Sequence, residues 1–413
     1  MTGTTGERFP YALLGAWVLT RLVLLLLVFR VFVFPGPDVT SDVSVIYQGW
    51  YEVLRTGTFP LDDVTWQYPP AAALAVLSPA LLPFLDYPSA FFVLAFLADL
   101  LAFALLRYAG LRPGKSSRGA WVWVAGVALL GPTVYARYDV MVTAVAVAAL
   151  LAGVRHPRTM GALAGLGAML KVWPVLVLVG AARGSAKRAW ASAAATVGGL
   201  ALLFGAAMPG AFSFLAFQRS RGTEVESLGS LVFHVARHFG WEGEVLLNYG
   251  SVEFLGPHVD VVSGAALLLT AVAFGWMLLW RLCAKRFLAH TLAEAAFVAG
   301  LMFTATSRVI SPQYMVWLVG LAAVCLCFRG TRMTRPAGLV LAATLVTVLE
   351  FPVWFSHVVA SDLLGIALLL VRNGLLVAAA LTAALELWRG TVSQPAPTVP
   401  GQATRTKESL ASS

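Results

Sequence analysis

The chain has 413 residues, 59% of them hydrophobic and only 12% charged, with a mean hydropathy of +0.81. About a quarter of a typical soluble domain is charged, and a water-soluble fold cannot hide this much apolar surface, so an ordinary soluble domain is excluded. Apolar stretches near the ~20 residues that a bilayer crossing needs recur along the chain, without the apolar–polar alternation of a membrane β-barrel. The composition points to an all-α polytopic membrane protein.

The net charge of +9 does not call for nucleic acid, and no nucleic-acid partner is expected. Lys and Arg gather in short loops between apolar runs, as the positive-inside bias predicts. The clusters at 107–118, 155–158, 183–188, 281–286 and 329–335, with the region from Arg389 onward, mark the cytoplasmic side. Acidic residues collect in two long segments, Asp38 to Asp63 and Glu224 to Glu253, which read as external.

About ten spans follow in chain order, at residues 11–34, 88–109, 119–136, 139–154, 189–208, 260–282, 291–305, 312–328, 336–353 and 360–388. Both termini then face the cytoplasm. The first apolar stretch is too long for a signal-peptide core and lacks a small-residue cleavage site, so no cleaved leader is expected.

The first external loop, 35–68, carries apolar residues at 43, 46, 47, 50, 51 and 54. That helical period predicts an amphipathic interfacial helix, with Asp42 placed where a carboxylate can cap it. Residues 69–86 are apolar but hold Pro69, Pro70, Pro79 and Pro83, and read as an external juxtamembrane element. Residues 160–182 run between two cytoplasmic clusters, with Lys171 and Pro174 midway. They must enter and return, as one broken re-entrant hairpin or two short spans, tolerable only where protein surrounds the turn.

A second external loop, 209–259, mixes Arg, Glu and His. Residues 1–388 thus form a single transmembrane domain, followed by a disordered cytoplasmic tail at 389–413. Asp99 reads as a mid-span salt-bridge partner for Arg21 or Arg372. Cys283, Cys325 and Cys327 show no disulfide framework or metal-ligand spacing.

Four polar patterns map to the outer face. They are Asp42 with Tyr68-Pro69-Pro70, Arg137-Tyr138-Asp139, Lys171-Val172-Trp173-Pro174, and the run Ser307 to Tyr314 containing Arg308. Each has a structural alternative: Asp42 as a cap, and Arg137, Asp139 and Arg308 as span-end anchors. Lys171 resists one, because an ionisable residue inside an apolar hairpin is costly.

In order, these patterns resemble glycosyltransferase family 87 of the GT-C superfamily, the actinobacterial polyprenol-phosphate-mannose-dependent mannosyltransferases. The family's Asp, Tyr and Tyr-Pro-Pro stand here as Asp42, Tyr47 and Tyr68-Pro69-Pro70. Its aromatic-Asp pair is Tyr138-Asp139, and its Gly-x-x-x-Gly-x-x-x-x-x-Lys-x-x-Pro runs from Gly161 through Gly165 and Lys171 to Pro174. Its Ser-Pro near an aromatic span is Ser311-Pro312, where Gln313-Tyr314 replaces a His pair.

The resemblance implies a GT-C-like fold in the cell membrane with its active site on the extracytoplasmic face. It implies transfer of a mannosyl residue from polyprenyl-phosphate-mannose to an acceptor hydroxyl, with Asp42 as general base and Tyr47, Tyr68, Arg137, Asp139, Lys171, Arg308 and Gln313 at the substrates. A single base opposite the leaving group predicts inversion, to an α-mannoside. Arg137, Lys171 and Arg308 suit the phosphate, Arg as a fork and Lys as a point charge. No metal or cofactor is expected, since side chains can neutralise a monophosphate and the first loop has no Asp-x-Asp.

The acceptor stays open among glycolipid, polysaccharide and peptide, and membrane lipids are expected neighbours. Two other readings stand beside this one: a polyprenyl-phosphate-arabinose-dependent arabinofuranosyltransferase, and a lipid or solute transporter or flippase. Broken helices and midplane charges suit transport, but no inverted repeat is visible. The topology carries its own test. A cysteine placed at position 115 is expected to react with a membrane-impermeant maleimide only from the cytoplasmic side, and labelling from outside would overturn the orientation.

Overall fold

The computed structural model describes residues 5–61, 63–217 and 221–393. The chain opens with α1 (Thr5–Val28), and a wide π-helical turn at Asp42–Tyr47 leads into α2 (Gln48–Leu54). Then follow α3 (Ala72–Leu77), α4 (Tyr87–Gly110), α5 (Arg118–Leu130), α6 (Asp139–Gly153), α7 (Pro157–Leu170), α8 (Arg183–Ala207) and the single turn α9 (Phe214–Phe217). Beyond them come β1 (Thr223–Glu224), α10 (Leu231–Ala236), β2 (Glu244–Asn248) and β3 (Ser251–Leu255). The C-terminal part holds α11 (Val259–Cys283), α12 (Thr291–Thr306), α13 (Tyr314–Leu326), α14 (Thr334–Val348), α15 (Phe355–Ala360) and α16 (Leu363–Thr391).

Among the described residues, six helices are long and apolar enough to cross a membrane: α1, α4, α8, α11, α14 with the turn after it, and α16. This is a helical, multi-pass membrane protein. The other four expected spans are shorter helices of 13 to 16 residues, α5, α6, α12 and α13. At 1.5 Å per residue they reach only about 20–24 Å, and they pack inside the bundle. Every residue of α12 from Thr291 to Leu301 and of α13 from Met315 to Leu326 is buried, as befits helices apolar all round.

The segment between the basic clusters at 155–158 and 183–188 is broken where Lys171 and Pro174 stand. α7 ends at Leu170, Lys171 is extended (φ −160°, ψ 129°), and a 3₁₀ turn over Trp173–Leu178 follows. A proline has no N–H to give and disfavours helix in the residue before it. Gly161 and Gly165 let α7 lie against α8. A Cβ on Gly161 would come within 2.1 Å of the Ala189 carbonyl oxygen, and one on Gly165 within 2.7 Å of that of Ala193.

Paired charges hold the bundle together. Arg21 on α1 gives two hydrogen bonds of 2.9 Å to the Asp99 carboxylate on α4. Trp123 Nε1 and Tyr135 Oη donate to the same carboxylate at 2.7 and 2.9 Å. Arg372 pairs with Glu350 instead, at 2.7 Å. Ions in an apolar interior persist only when partnered this way.

The segments expected to be external depart from their expected form. The apolar face of residues 43–54 turns into the protein, burying Val43, Tyr47, Trp50 and Leu54, rather than lying on lipid. Ser41, not Asp42, occupies the helix N-cap, and no side chain caps it. Residues 69–86 form α3 and a 3₁₀ turn. The first half is buried in the core, and the tip exposes Leu81 and Phe84. Gly36 (φ +95°) presses on the turn after α14, where a Cβ would lie 2.0 Å from the Pro352 carbonyl oxygen.

The loop at 209–259 contains a small antiparallel sheet of order β1-β3-β2, which the helical reading did not include. Its hairpin turns on Tyr249 (φ 49°) and Gly250 (φ 77°), a pair of left-handed residues suited to a two-residue turn. α16 continues past residue 388 to Thr391. The rest of the expected tail, 394–413, lies outside the described residues.

The sheet and α10 share a small core of Val225, Phe233, Phe254, Val259, Val358 and Leu369. Within it His234 bonds Val225 O and Ser361 Oγ, both at 2.8 Å. Burial, with Arg237 nearby, pushes the imidazole down from 6.5 to about 4. A depressed histidine contributes stability that is present above the unfolded value and lost as pH falls through the folded one. Hydrogen exchange, corrected for its intrinsic pH dependence, is therefore expected to show residues 223–260 of the wild type losing protection relative to His234→Gln between about pH 6.5 and 4, a difference that separates His234 from the neighbouring Glu224 and Glu226, whose raised pKa values act with the opposite sign. A difference between the two proteins that does not change across the window would refute it.

Candidate active site

A cavity of about 580 Å³ opens beneath the loops at 35–68 and 209–259. Its wall takes residues from the first loop, the α5–α6 connection, the break after α7, the second loop and the segment before α13. Asp42, Tyr47, Tyr68, Arg137, Lys171, Arg308 and Gln313 all line it. Asp139 does not; it stands behind Lys171.

At one side the Asp42 carboxylate meets the Arg137 guanidinium at 2.7 Å. This contact takes the place of the expected cap. Arg137 is fixed by two further bonds, from Nη1 to Val39 O at 3.1 Å and to Ala136 O at 2.8 Å. Its fork therefore joins the first loop to the α5–α6 connection. Asp42 keeps about a third of its side chain exposed, against a tenth for Arg137.

Lys171 Nζ bonds Asp139 Oδ1 at 2.7 Å, and Trp317 Nε1 donates to the same oxygen at 2.6 Å. Asp139 is the first residue of α6, where a carboxylate complements the helix dipole. The ammonium is ringed by Tyr68, Tyr138, Tyr314 and Trp317, with centroids 5.0–5.4 Å away. Such faces attract a cation. Trp317 stacks in turn on Tyr314 at 3.9 Å and on Trp173 at 5.2 Å.

Tyr47 packs against Trp50, Phe91 and Tyr138. Burial raises the phenols of both Tyr47 and Tyr68 above their usual range, so each acts as a neutral hydroxyl.

The second loop brings residues that the motifs did not single out. Arg221 pairs with Glu253 at 3.1 Å and donates to Ser251 Oγ at 2.5 Å. Glu224 accepts from Ser311 Oγ at 3.1 Å, and its N–H donates to Arg308 O at 3.0 Å. Glu226 lies close by, and both glutamates line the cavity. Their only signal in the sequence is the mixed charge of an external loop. Arg308 Nη1 donates to Ser263 Oγ at 3.2 Å. Apolar residues complete one rim: Val172, Leu215 and Leu267 line the cavity yet are more than half exposed. The space can hold an anionic group among Arg137, Lys171, Arg221 and Arg308, with a carboxylate beside it and an apolar mouth.

The model of glycosyltransferase family 87 matches residues 66–312. No curated protein matches the chain. Among solved structures, that of ArnT from Cupriavidus metallidurans bound to undecaprenyl phosphate is similar over 94% of this chain and 78% of that chain, at 15% identity and a TM-score of 0.44.

Removing one partner of a buried ion pair strands the other charge, at a cost of about 3–5 kcal/mol. Asp139→Ala leaves Lys171 unpaired in its aromatic ring and is expected to lower thermal stability by that order in detergent. Asp42→Asn, at a half-open site, should change it little. Equal unfolding temperatures for the wild type and Asp139→Ala would show that the pair does not hold the site.

Proposed function

The chain belongs to glycosyltransferase family 87, and on that premise we propose that it moves a mannosyl residue from polyprenyl-phosphate-mannose to an acceptor hydroxyl. The observation that carries this reading is the convergence of Asp42 with Arg137, Lys171, Arg221 and Arg308 on one cavity with an apolar, exposed rim. A glycosyl phosphate donor needs cations where charge grows on the leaving phosphate. It also needs a path for its lipid tail, which the rim at Val172, Leu215 and Leu267 supplies.

In this reading Asp42 takes the proton of the attacking hydroxyl as general base. Arg137, bonded to Asp42, orients it and reaches toward the phosphate with the rest of its fork. Lys171 meets the phosphate as a point charge, and Asp139 is a positioning residue that holds it there. Arg308 and Arg221 close the anion site from the other side. Tyr47 and Tyr68 hold the first loop against the cavity, and Gln313 offers an amide to substrate hydroxyls. The bond from the anomeric carbon to the phosphate oxygen breaks as the acceptor oxygen attacks from the opposite face. The product from a β-linked donor is an α-mannoside. The distribution of basic loops supports an extracytoplasmic position for this face in the cell membrane.

The test is transfer from radiolabelled polyprenyl-phosphate-mannose in membranes. Asp42→Asn keeps size and removes the base, and a rate loss of about 10²–10⁴ is expected at equal expression. Equal transfer by the wild type and the variant would remove Asp42 from the chemistry. A wild type that instead uses a pentosyl donor would correct the sugar and leave the class intact.

A further inference from the structure

We propose that Arg183 and Arg281 form a binding site for the phosphate of an anionic phospholipid, at the end of the bundle away from the cavity. Arg183 opens α8, and Arg281 lies in the last turn of α11. Both guanidiniums lie over one ring, that of Phe287, at 5.9 and 4.7 Å from its centroid. Arg183 also donates to the carbonyls of Arg281 and Leu282, at 3.4 and 3.3 Å, and so ties the two helix ends together. The site is separate from the cavity, and the inference does not rest on the transferase reading. Thr270 is the α11 residue of the cavity wall nearest to Arg281 in sequence, about 16 Å along the helix.

Two like charges held together call for an anion between them. The buried arginines elsewhere each face a carboxylate: Arg21 has Asp99, Arg137 has Asp42 and Arg372 has Glu350. Among the described residues, no hydrogen bond or ion pair reaches the half-buried Arg281 guanidinium. The charge that acts on it is Arg183, of the same sign. Lys187 and Lys285 are exposed close by in the chain and form no ion pair among the described residues. α8 begins there without a side-chain cap, so its positive end adds to the same field. The basic cluster at 329–335 differs, since Arg332 is drawn to Glu386 at 3.7 Å.

The kind of anion follows from the surroundings. A planar guanidinium fork matches the oxygens of a phosphate. α8 and α11 are the least buried of the six long apolar helices, with 17% and 11% of their apolar stretches inside the protein, so both present their sides to lipid. On α11, Leu278, Leu279 and Leu282 are at least half exposed beside Arg281. Trp190, two turns into α8, is exposed as well, and tryptophan favours the membrane interface. A soluble phosphate would satisfy the arginines and leave the leucines bare. A phospholipid covers both, its headgroup on the guanidiniums and an acyl chain along α11. Basic pockets between membrane helices hold anionic headgroups by this combination.

The test is native mass spectrometry of the full chain in detergent, titrated with phosphatidylglycerol or with phosphatidylcholine of the same acyl chains. The wild type is expected to bind phosphatidylglycerol at least about tenfold more tightly. Arg183→Gln and Arg281→Gln should each cut that preference about fivefold, the effect of one cation beside a lipid phosphate. Arg335→Gln, in the separate basic cluster, should leave it within about twofold. Unfolding temperatures in phosphatidylcholine establish that each variant is folded. Equal binding of the two lipids by the wild type would overturn the proposal without any variant. So would Gln variants that fold and keep the full preference, or an equal loss in Arg335→Gln, the mark of a diffuse positive surface. Inorganic phosphate and glycerol phosphate serve as competitors and are expected to leave the lipid bound. Displacement by either at micromolar concentration would give the arginines to a soluble phosphate and overturn the lipid assignment.

Discussion

An ammonium group inside an apolar bundle must have a carboxylate beside it, and the cavity is organised around one such pair, Lys171 with Asp139. The pair ties the break after α7 to the first residue of α6. Through the Trp317 indole it also reaches α13. Three segments far apart in sequence are thereby held at one point, and four aromatic rings close over it. Elsewhere the same rule joins α1 to α4 through Arg21 and Asp99, and α16 to the end of α14 through Arg372 and Glu350. These links are directional, which apolar packing is not.

Charges of both signs line the cavity. Arg137, Lys171, Arg221 and Arg308 stand among carboxylates of the first and second loops, Asp42, Glu224 and Glu226. Arg137, bonded to Asp42, ties the first loop to the α5–α6 connection.

What could be read from the sequence was local. Apolar runs, basic loops and the helix break at Pro174 follow from hydropathy, charge and backbone sterics over a few residues. Asp42, Tyr47, Tyr68, Arg137, Lys171, Arg308 and Gln313 were found as patterns, and they do meet at one cavity. Pairings were not legible, because nothing near Asp42 shows that its carboxylate faces Arg137 rather than its own helix, or that Asp139 turns away behind Lys171. The choice between a lipid-facing and a protein-facing surface was equally hidden for residues 43–54, since both environments reward the same apolar period. The sheet escaped notice because Tyr249-Gly250 is a turn without the usual Asn or Asp. Glu224 and Glu226 escaped because an acidic residue in an external loop normally faces water.

Gly36 has a consequence beyond its own turn. With a Cβ excluded by the Pro352 carbonyl, the approach to the first loop and the turn after α14 fit as a matched pair of backbones, from opposite ends of the chain. Neither can be exchanged alone. A chimaera that takes its N-terminal half from one relative and its C-terminal half from another inherits this contact only if both parents share the same pair, so recombination within the family is constrained by a contact of backbone with backbone.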